Sequence, residues 1–291
     1  MINKEKIKII LIFFIFTAQC YAQQAPQFTM YWNNFSSYNP AATGLFNKHF
    51  ASVSGRHQWL GFGEEPTTIC AVYDHKVSKI NSGIGINYIY DKLGFEKNNE
   101  VNLNYSYQLK FKKDRVLSSG ISFGILIKSI DFGKFEPLNP NDPFFTSKAV
   151  NTDAFFNISL GLIYKTPQFL FALSSTQINE YKSGILHYKN KRHYFISSSF
   201  NQDIGKKFNI KPNILIKTNI AITQYDFNFI LTYKKRYWAG STYRVTDAIA
   251  FMGGIDIKGK YRIGYSYDYT TSALGDYSKG SHEIVLALLI D

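Results

Sequence analysis

From residue 101 to residue 111 (VNLNYSYQLKF) apolar and polar side chains alternate without a break. Val101, Leu103, Tyr105, Tyr107, Leu109 and Phe111 share one face, and Asn102, Asn104, Ser106, Gln108 and Lys110 share the other. The pattern returns at 208–217, at 225–234 and at 261–269, where Tyr261, Ile263, Tyr265, Tyr267 and Tyr269 oppose Arg262, Gly264, Ser266 and Asp268. A period of two marks a strand whose faces meet different surroundings. No long segment has a helical period, so the chain is all-β.

A soluble sandwich also alternates. Three features favour a single transmembrane antiparallel β-barrel. The runs are about ten residues, the span of a tilted strand crossing a bilayer. Their ends are rich in Tyr and Phe, as interfacial girdles are. Their polar faces are mostly Asn, Ser, Gln, Thr and Lys, which suits a wet or hydrogen-bonded lumen. About 14 segments are expected, beginning near residues 47, 67, 83, 98, 115, 153, 168, 193, 207, 224, 237, 248, 260 and 281. With both barrel ends periplasmic, the three longest connections (131–152, 176–192 and 270–280) fall on the outer side and the short turns on the inner side, the asymmetry such barrels show. Aromatic residues are 17% of the chain and charged residues 19%, which excludes a disordered chain.

The first residues read as an address. Lys4, Lys6 and Lys8 precede an apolar run, Ile9 to Phe16, and Cys20-Tyr21-Ala22 places small residues for cleavage. Residues 1–22 are expected to be a Sec signal peptide cut near Ala22, 23–44 a lead-in or plug segment, and 45–291 an outer-membrane barrel. A retained N-terminal anchor and a lipoprotein through Cys20 are the alternatives. Cleavage leaves Cys70 as the only cysteine, and hence no intrachain disulfide. Residues 23–44 either fold into the barrel or form a periplasmic tail.

The whole chain carries a formal +12. The leader holds three Lys and Glu5, so its removal leaves +10. The excess lies in the short turns: Lys76 and Lys79; Lys110, Lys112, Lys113 and Arg115; Lys165; Lys206 and Lys207; Lys234, Lys235 and Arg236; Lys258 and Lys260. Only Asp114 and Asp203 oppose them. A basic periplasmic ring suits anionic lipid head groups or an acidic periplasmic partner, for which Lys112, Lys113, Lys206, Lys207, Lys234, Lys235 and Arg236 are the candidate contacts. Export leaves no nucleic acid to bind.

Chemistry leaves no signature. The six His are scattered, and there is no HExxH, CxxC, P-loop or G-x-S-x-G. Cys70 reads as a packing residue, Glu64 and Glu65 as a solvated loop tip, and His193 beside Ser197 to Ser199 as no hydrolase. No enzyme, metal or cofactor is expected.

The opening QQAPQFTMYWNNFSSYNPAATG carries Asn39 and Pro40. RHQWLGFGEEPTT carries Arg56, Gln58, Trp59 and Gly61, and GIGINYIYDKLG carries Asp91. Then follow Pro212 and Lys217; Trp238, Gly240, Tyr243 and Arg244; GYSYDY with Tyr265, Tyr267 and Asp268; and GSHEI with Gly280, His282 and Glu283. Together these stretches resemble the PorP/SprF family, outer-membrane proteins of the Bacteroidetes type IX secretion system, and the resemblance runs in order from Gln23 to the C-terminus. The ending VLALLID departs from the terminal aromatic usual in barrels. The resemblance implies a non-enzymatic barrel that supports secretion or surface attachment of a large adhesin, often in gliding motility. Its implied partners are outer-membrane lipids, periplasmic ring lipoproteins and the C-terminal domain of the adhesin. The alternatives are a passive channel for a small or hydrophobic solute, and an adhesin in its own right. On the strands, Arg56, Arg244 and Arg262 are expensive unless they face the lumen. There they either pair with Asp91, Asp226 or Asp268, or hold 23–44, or simply fill space.

Overall fold

The computed structural model describes residues 25–135, 150–186 and 188–290. The expected leader 1–22 lies outside them. Alternating segments become strands that pair with their sequence neighbours: β1 (His49–His57), β2 (Thr67–Val77), β3 (Ser82–Leu93), β4 (Glu96–Phe111), β5 (Arg115–Asp131), β6 (Val150–Lys165) and β7 (Phe169–Thr176). A small hairpin, β8 (Lys182–Ser183) and β9 (Tyr188–Lys189), precedes β10 (His193–Phe200) and β11 (Gln202–Ile204). Then come β12 (Phe208–Thr218), β13 (Thr223–Tyr233), β14 (Tyr237–Arg244), β15 (Ala248–Ile257), β16 (Tyr261–Thr270) and β17 (Ser281–Ile290).

The ring closes where β1 pairs with β17, from His49 opposite Ile290 to His57 opposite His282. β10 and β11 both pair with β12 in one register and form a single stave, so the closed antiparallel barrel has 14 staves. Their ladder to β12 lapses at Phe200 and Asn201, beside Pro212. Proline has no N–H to give.

The packing is inverted relative to a soluble protein. Leu103 is 61% exposed and Phe251 60%, while Ser106 is fully buried and Asn87 only 1% exposed. Apolar side chains cover the outside of the ring, far more than the few hundred Å² a soluble monomer shows, and polar ones line the lumen. The wall is uneven: β5 has 17 residues and β7 has eight. β6 meets β7 only from Leu160 to Lys165. Above that, the 177–192 connection fills in, with Ile178 N–H donating to the Ile158 carbonyl (3.0 Å). Leu126, Phe155 and Leu186 form a small cluster there. The connections at 58–66 and 271–280, the β8–β9 hairpin and the Phe132–Lys134 turn after β5 share one end of the barrel. The short turns, such as 112–114, 205–207, 234–236 and 258–260, share the other.

The segment before β1 has no strand period. It folds as three short helical turns, Tyr31–Asn34, Phe35–Tyr38 and Pro40–Ala42, inside the ring. Ala25 lies at the long-loop end, where the Lys217 ammonium donates to its carbonyl (3.0 Å). Gly44 lies at the short-turn end, where Gln108 Nε2 donates to its carbonyl (3.0 Å). The chain therefore runs the length of the lumen before β1 begins. Only the barrel's strand ends share the short-turn side, and Ala25 stands at the opposite end.

Irregular backbone at membrane depth must have its carbonyls satisfied by protein. The lumen-facing side chains do this. Ser52 donates to the Asn33 carbonyl (2.6 Å), Asn104 to Ser36 (3.0 Å), and Ser174 to Tyr38 (2.7 Å). Ser118 donates to Ala41 (2.7 Å) and Ser106 to Thr43 (2.7 Å). At the Asn39-Pro40-Ala41 turn the segment lies directly on glycine. A Cβ on Gly120 would collide with the backbone of Pro40 and Ala41. Gly120→Val is expected to lower stability by about 1–3 kcal/mol, the usual penalty of overpacking. Gly55, which has nothing within 4 Å of where a Cβ would stand, is the control. A Gly55→Val variant should keep the parent's guanidinium midpoint, and equal midpoints for both variants would refute this packing.

Candidate functional site

Two features stand out: a buried clasp that grips the threaded segment, and a basic rim at the short-turn end.

The clasp gathers four strands. Arg56 from β1, Arg244 from β14, Asp268 from β16 and Glu283 from β17 all point inward and are at most 2% exposed. Alternation puts them there, since each occupies the polar phase of its strand. Asp268 Oδ2 receives Arg56 Nη2 at 2.8 Å and Arg244 Nη1 at 2.9 Å. Arg244 Nε also faces Asp226 at 3.4 Å. Glu283 accepts the backbone N–H groups of Thr29 (2.6 Å) and Met30 (3.0 Å), and Arg56 approaches it at 3.4 Å. The Thr29 hydroxyl donates to Asp268 (2.8 Å) and accepts from Arg56 (3.1 Å). Every charge in this cluster has a partner, which buried charge requires. The arrangement holds a chain in place.

Arg262 is matched to Asp256 (2.7 Å) and reaches Asn33 Oδ1 of the segment (3.3 Å). Of the acids weighed for the three arginines, Asp226 and Asp268 serve. Asp91 does not: it accepts from Thr68 Oγ1 (2.6 Å) and lines a separate cavity at the long-loop end. Asn39 caps the Pro40–Ala42 turn through Oδ1 (3.1 Å to Ala41 N–H), and its Nδ2 donates to the Leu173 carbonyl (3.1 Å). Trp238 is buried in the lumen, edge-on to Trp32 of the segment at 6.3 Å. Gly240 lets the β14 backbone lie tight against Phe229 of β13.

Gln58, Trp59, Gly61 and Gly280 join two loops at the long-loop end. Gln58 N–H donates to the Pro66 carbonyl (2.9 Å), Trp59 N–H to Ser281 Oγ (3.1 Å), and Leu60 N–H to the Gly280 carbonyl (2.9 Å). Gly61 N–H donates to Glu65 (2.8 Å). That bond, with His57 beside it, holds the Glu65 carboxyl below the usual carboxylate range. Glu64 pairs with Lys92 at 2.9 Å. Tyr265, Tyr267 and His282 face outward just below, with Tyr265 Oη and His282 Nδ1 2.6 Å apart. His193 Nδ1 lies 3.2 Å from Gln177 Oε1. Cys70 is buried among Phe28, Tyr31 and Leu215. Thr29 and the wall serines lie in no pattern that sequence reading singled out. Their only mark is that each Ser occupies the polar phase of a strand.

At the other end, Lys112, Lys113, Lys206, Lys207, Lys234, Lys235 and Arg236 are all exposed on the turns of one rim. The rim has a backbone peculiarity. Lys234 and Lys235 both have a φ of 52°, and Arg236 N–H donates to the Tyr233 carbonyl (3.0 Å). This is the type I′ hairpin turn, which favours Asn-Gly. Two lysines in left-handed backbone cost about 1–2 kcal/mol each.

A closed ring, apolar outside and threaded by its own chain inside, defines an outer-membrane β-barrel. The chain belongs to the family of type IX secretion system membrane proteins PorP/SprF, which it matches over residues 20–288. No curated protein matches it. Among solved structures it is similar to the Acinetobacter baumannii outer membrane protein Omp33, with a TM-score of 0.51 at 8% identity, covering 85% of this chain and 100% of that one. It is also similar to the CymD monoaromatic hydrocarbon channel, with a TM-score of 0.50 at 9% identity, covering 86% of this chain and 90% of that one. At such identities the likeness is one of fold.

Proposed function

We propose that this protein is a non-enzymatic scaffold of type IX secretion, exported by a leader cut near Ala22. In this reading the long loops face outward and hold a large adhesin-type client by its C-terminal domain, in secretion or surface attachment and in gliding. The basic rim faces the periplasm and docks acidic machinery such as the periplasmic ring lipoproteins. The observation that carries the reading is the threaded lumen: the segment 25–45 occupies the interior a solute would need. That argues for a scaffold over a passive channel. The strained Lys234-Lys235 turn supports a working role for the rim, because charge is kept there where Asn-Gly would be easier. Lipid head groups remain the competing explanation for the rim charge.

The test compares three strains by surface proteomics and by co-purification of periplasmic proteins: a clean deletion, its complemented parent, and a strain carrying Gln at Lys112, Lys113, Lys234 and Lys235. The deletion should lose one or two large adhesins from the surface while general secretion continues. The lysine variant should lose its periplasmic partner while still inserting in the membrane. Unchanged cargo in the deletion strain would overturn the secretion role. Unchanged co-purification would return the rim to the lipids.

A further inference from the structure

The segment does not fill the barrel at its short-turn end. A cavity of about 200 Å³ remains there. Its apolar wall is aromatic: Tyr31, Trp32, Phe35 and Tyr38 from the segment, Phe46 from the chain that leads into β1, and Phe50 from β1 itself. Phe35 and Phe46 are stacked, with centroids 5.9 Å apart and planes 23° apart. Lys211 of β12 and Arg262 of β16 also line the cavity.

The charges there do not balance. Arg262 is matched by Asp256, at 2.7 and 2.8 Å. The Lys211 ammonium has no carboxylate within 4.0 Å and no hydrogen-bond acceptor among the described residues. Asp74, the only acid among the lining residues, is 5% exposed and turns its Oδ1 onto Gly85. Thus a lysine and an aromatic wall line one cavity, and the lysine has no counter-charge among the described residues. An ammonium withdrawn from bulk water is stabilised by an anion that reaches it. A dry cavity of about 150 Å³ accepts benzene, so this one has room for a ring with a short charged tail.

We propose that the cavity binds an organic carboxylate with an aromatic body, its ring against Phe35 and Phe46 and its carboxylate on Lys211. Ring stacking at 4.5–7 Å centroid distance and an ammonium–carboxylate hydrogen bond supply the recognition. The hydroxyls of Ser197 and Ser199 at the same cavity can donate to the second carboxylate oxygen. Such a group has two sources: a free arylalkanoate, or a chain end that terminates in Phe or Tyr. The site is independent of the secretion role.

The full-length protein in detergent is titrated calorimetrically with 3-phenylpropionate, 3-phenylpropionamide, Gly-Gly-Phe and Gly-Gly-Phe amide. At least one of the two acids should bind about tenfold or more tightly than its amide, the effect of one charge-assisted hydrogen bond. Binding of 3-phenylpropionate assigns a free acid, and binding of Gly-Gly-Phe alone assigns a chain end. Lys211→Gln should abolish the difference between acid and amide, and Lys211→Arg should keep it. A heat-modifiable gel shift reports that each variant is folded. If Lys211→Gln does not fold, the acid–amide comparison in the unaltered protein decides alone. Equal binding of acid and amide, or no binding of any of the four, would overturn the proposal.

Discussion

Replacing Asp268 by Asn is expected to cost the barrel about 3–5 kcal/mol, the usual penalty for stranding a buried partner of an ion pair. Two guanidinium groups, Arg56 and Arg244, converge on one oxygen of this carboxylate, at 2.8 and 2.9 Å. Asn keeps the shape and removes the charge, so both arginines are left facing an amide. The Thr29 hydroxyl also loses its charged acceptor, so the segment loosens along with the wall. Guanidinium unfolding of the detergent-solubilised protein measures the loss. Glu64→Gln is the reference. It breaks only the half-exposed pair with Lys92, and exposed pairs contribute under about 1 kcal/mol. If Asp268→Asn were no worse than Glu64→Gln, the clasp would not be what holds the interior together.

Deleting residues 25–44 should turn a closed barrel into a conducting one. Side chains alone do not fill the interior of a barrel much wider than eight strands, and here the remainder is filled by backbone. The serines, Asn104 and Gln108 that now donate to that backbone would face water instead. They are polar enough to line an aqueous pore. In planar bilayers the parent should be nearly silent and the deletion should open in stable steps, with insertion checked by the heat-modifiable gel shift. A deletion that inserts yet stays silent would mean that the 177–192 connection and its neighbours close the long-loop end by themselves. A parent that conducts strongly would revive the solute-channel reading.

The strand framework was legible because one physical rule governs it. A lipid-facing strand must alternate, and every loop interrupts the alternation, so expected starts at 67, 115, 193, 237, 248 and 281 coincide with those of β2, β5, β10, β14, β15 and β17. β6 is the least well placed, starting at Val150 where 153 was expected, because Thr152 on the outward face and the buried Phe155 on the inward one blur the period there. The basic rim was legible for the same reason: turns are short, and their lysines are contiguous. The path of 25–45 was not. It has no period, and its contacts are set by residues up to 254 positions away, as between Thr29 and Glu283. The polar phase of the strands read equally well as a wet lumen or as a hydrogen-bonded one. Only the fold shows that its serines and amides are donors to a particular backbone. Asp91 was a reasonable partner for a lumen arginine on sequence grounds, but it stands higher in the barrel, where Thr68 meets it.

The seam between β1 and β17 has a temporal meaning. β17 joins His49 to Ile290 and His57 to His282, and it also carries Glu283, whose carboxylate grips Thr29 and Met30. The stave that shuts the ring is thus the one that secures Thr29 and Met30 within it. A nascent chain lacking β17 would have neither a closed wall nor an anchored interior. Pairing across nearly the whole sequence is slow to form, and until it forms the segment must already lie among the strands that will surround it. Sealing the wall and anchoring the interior are therefore one event, which waits for β17.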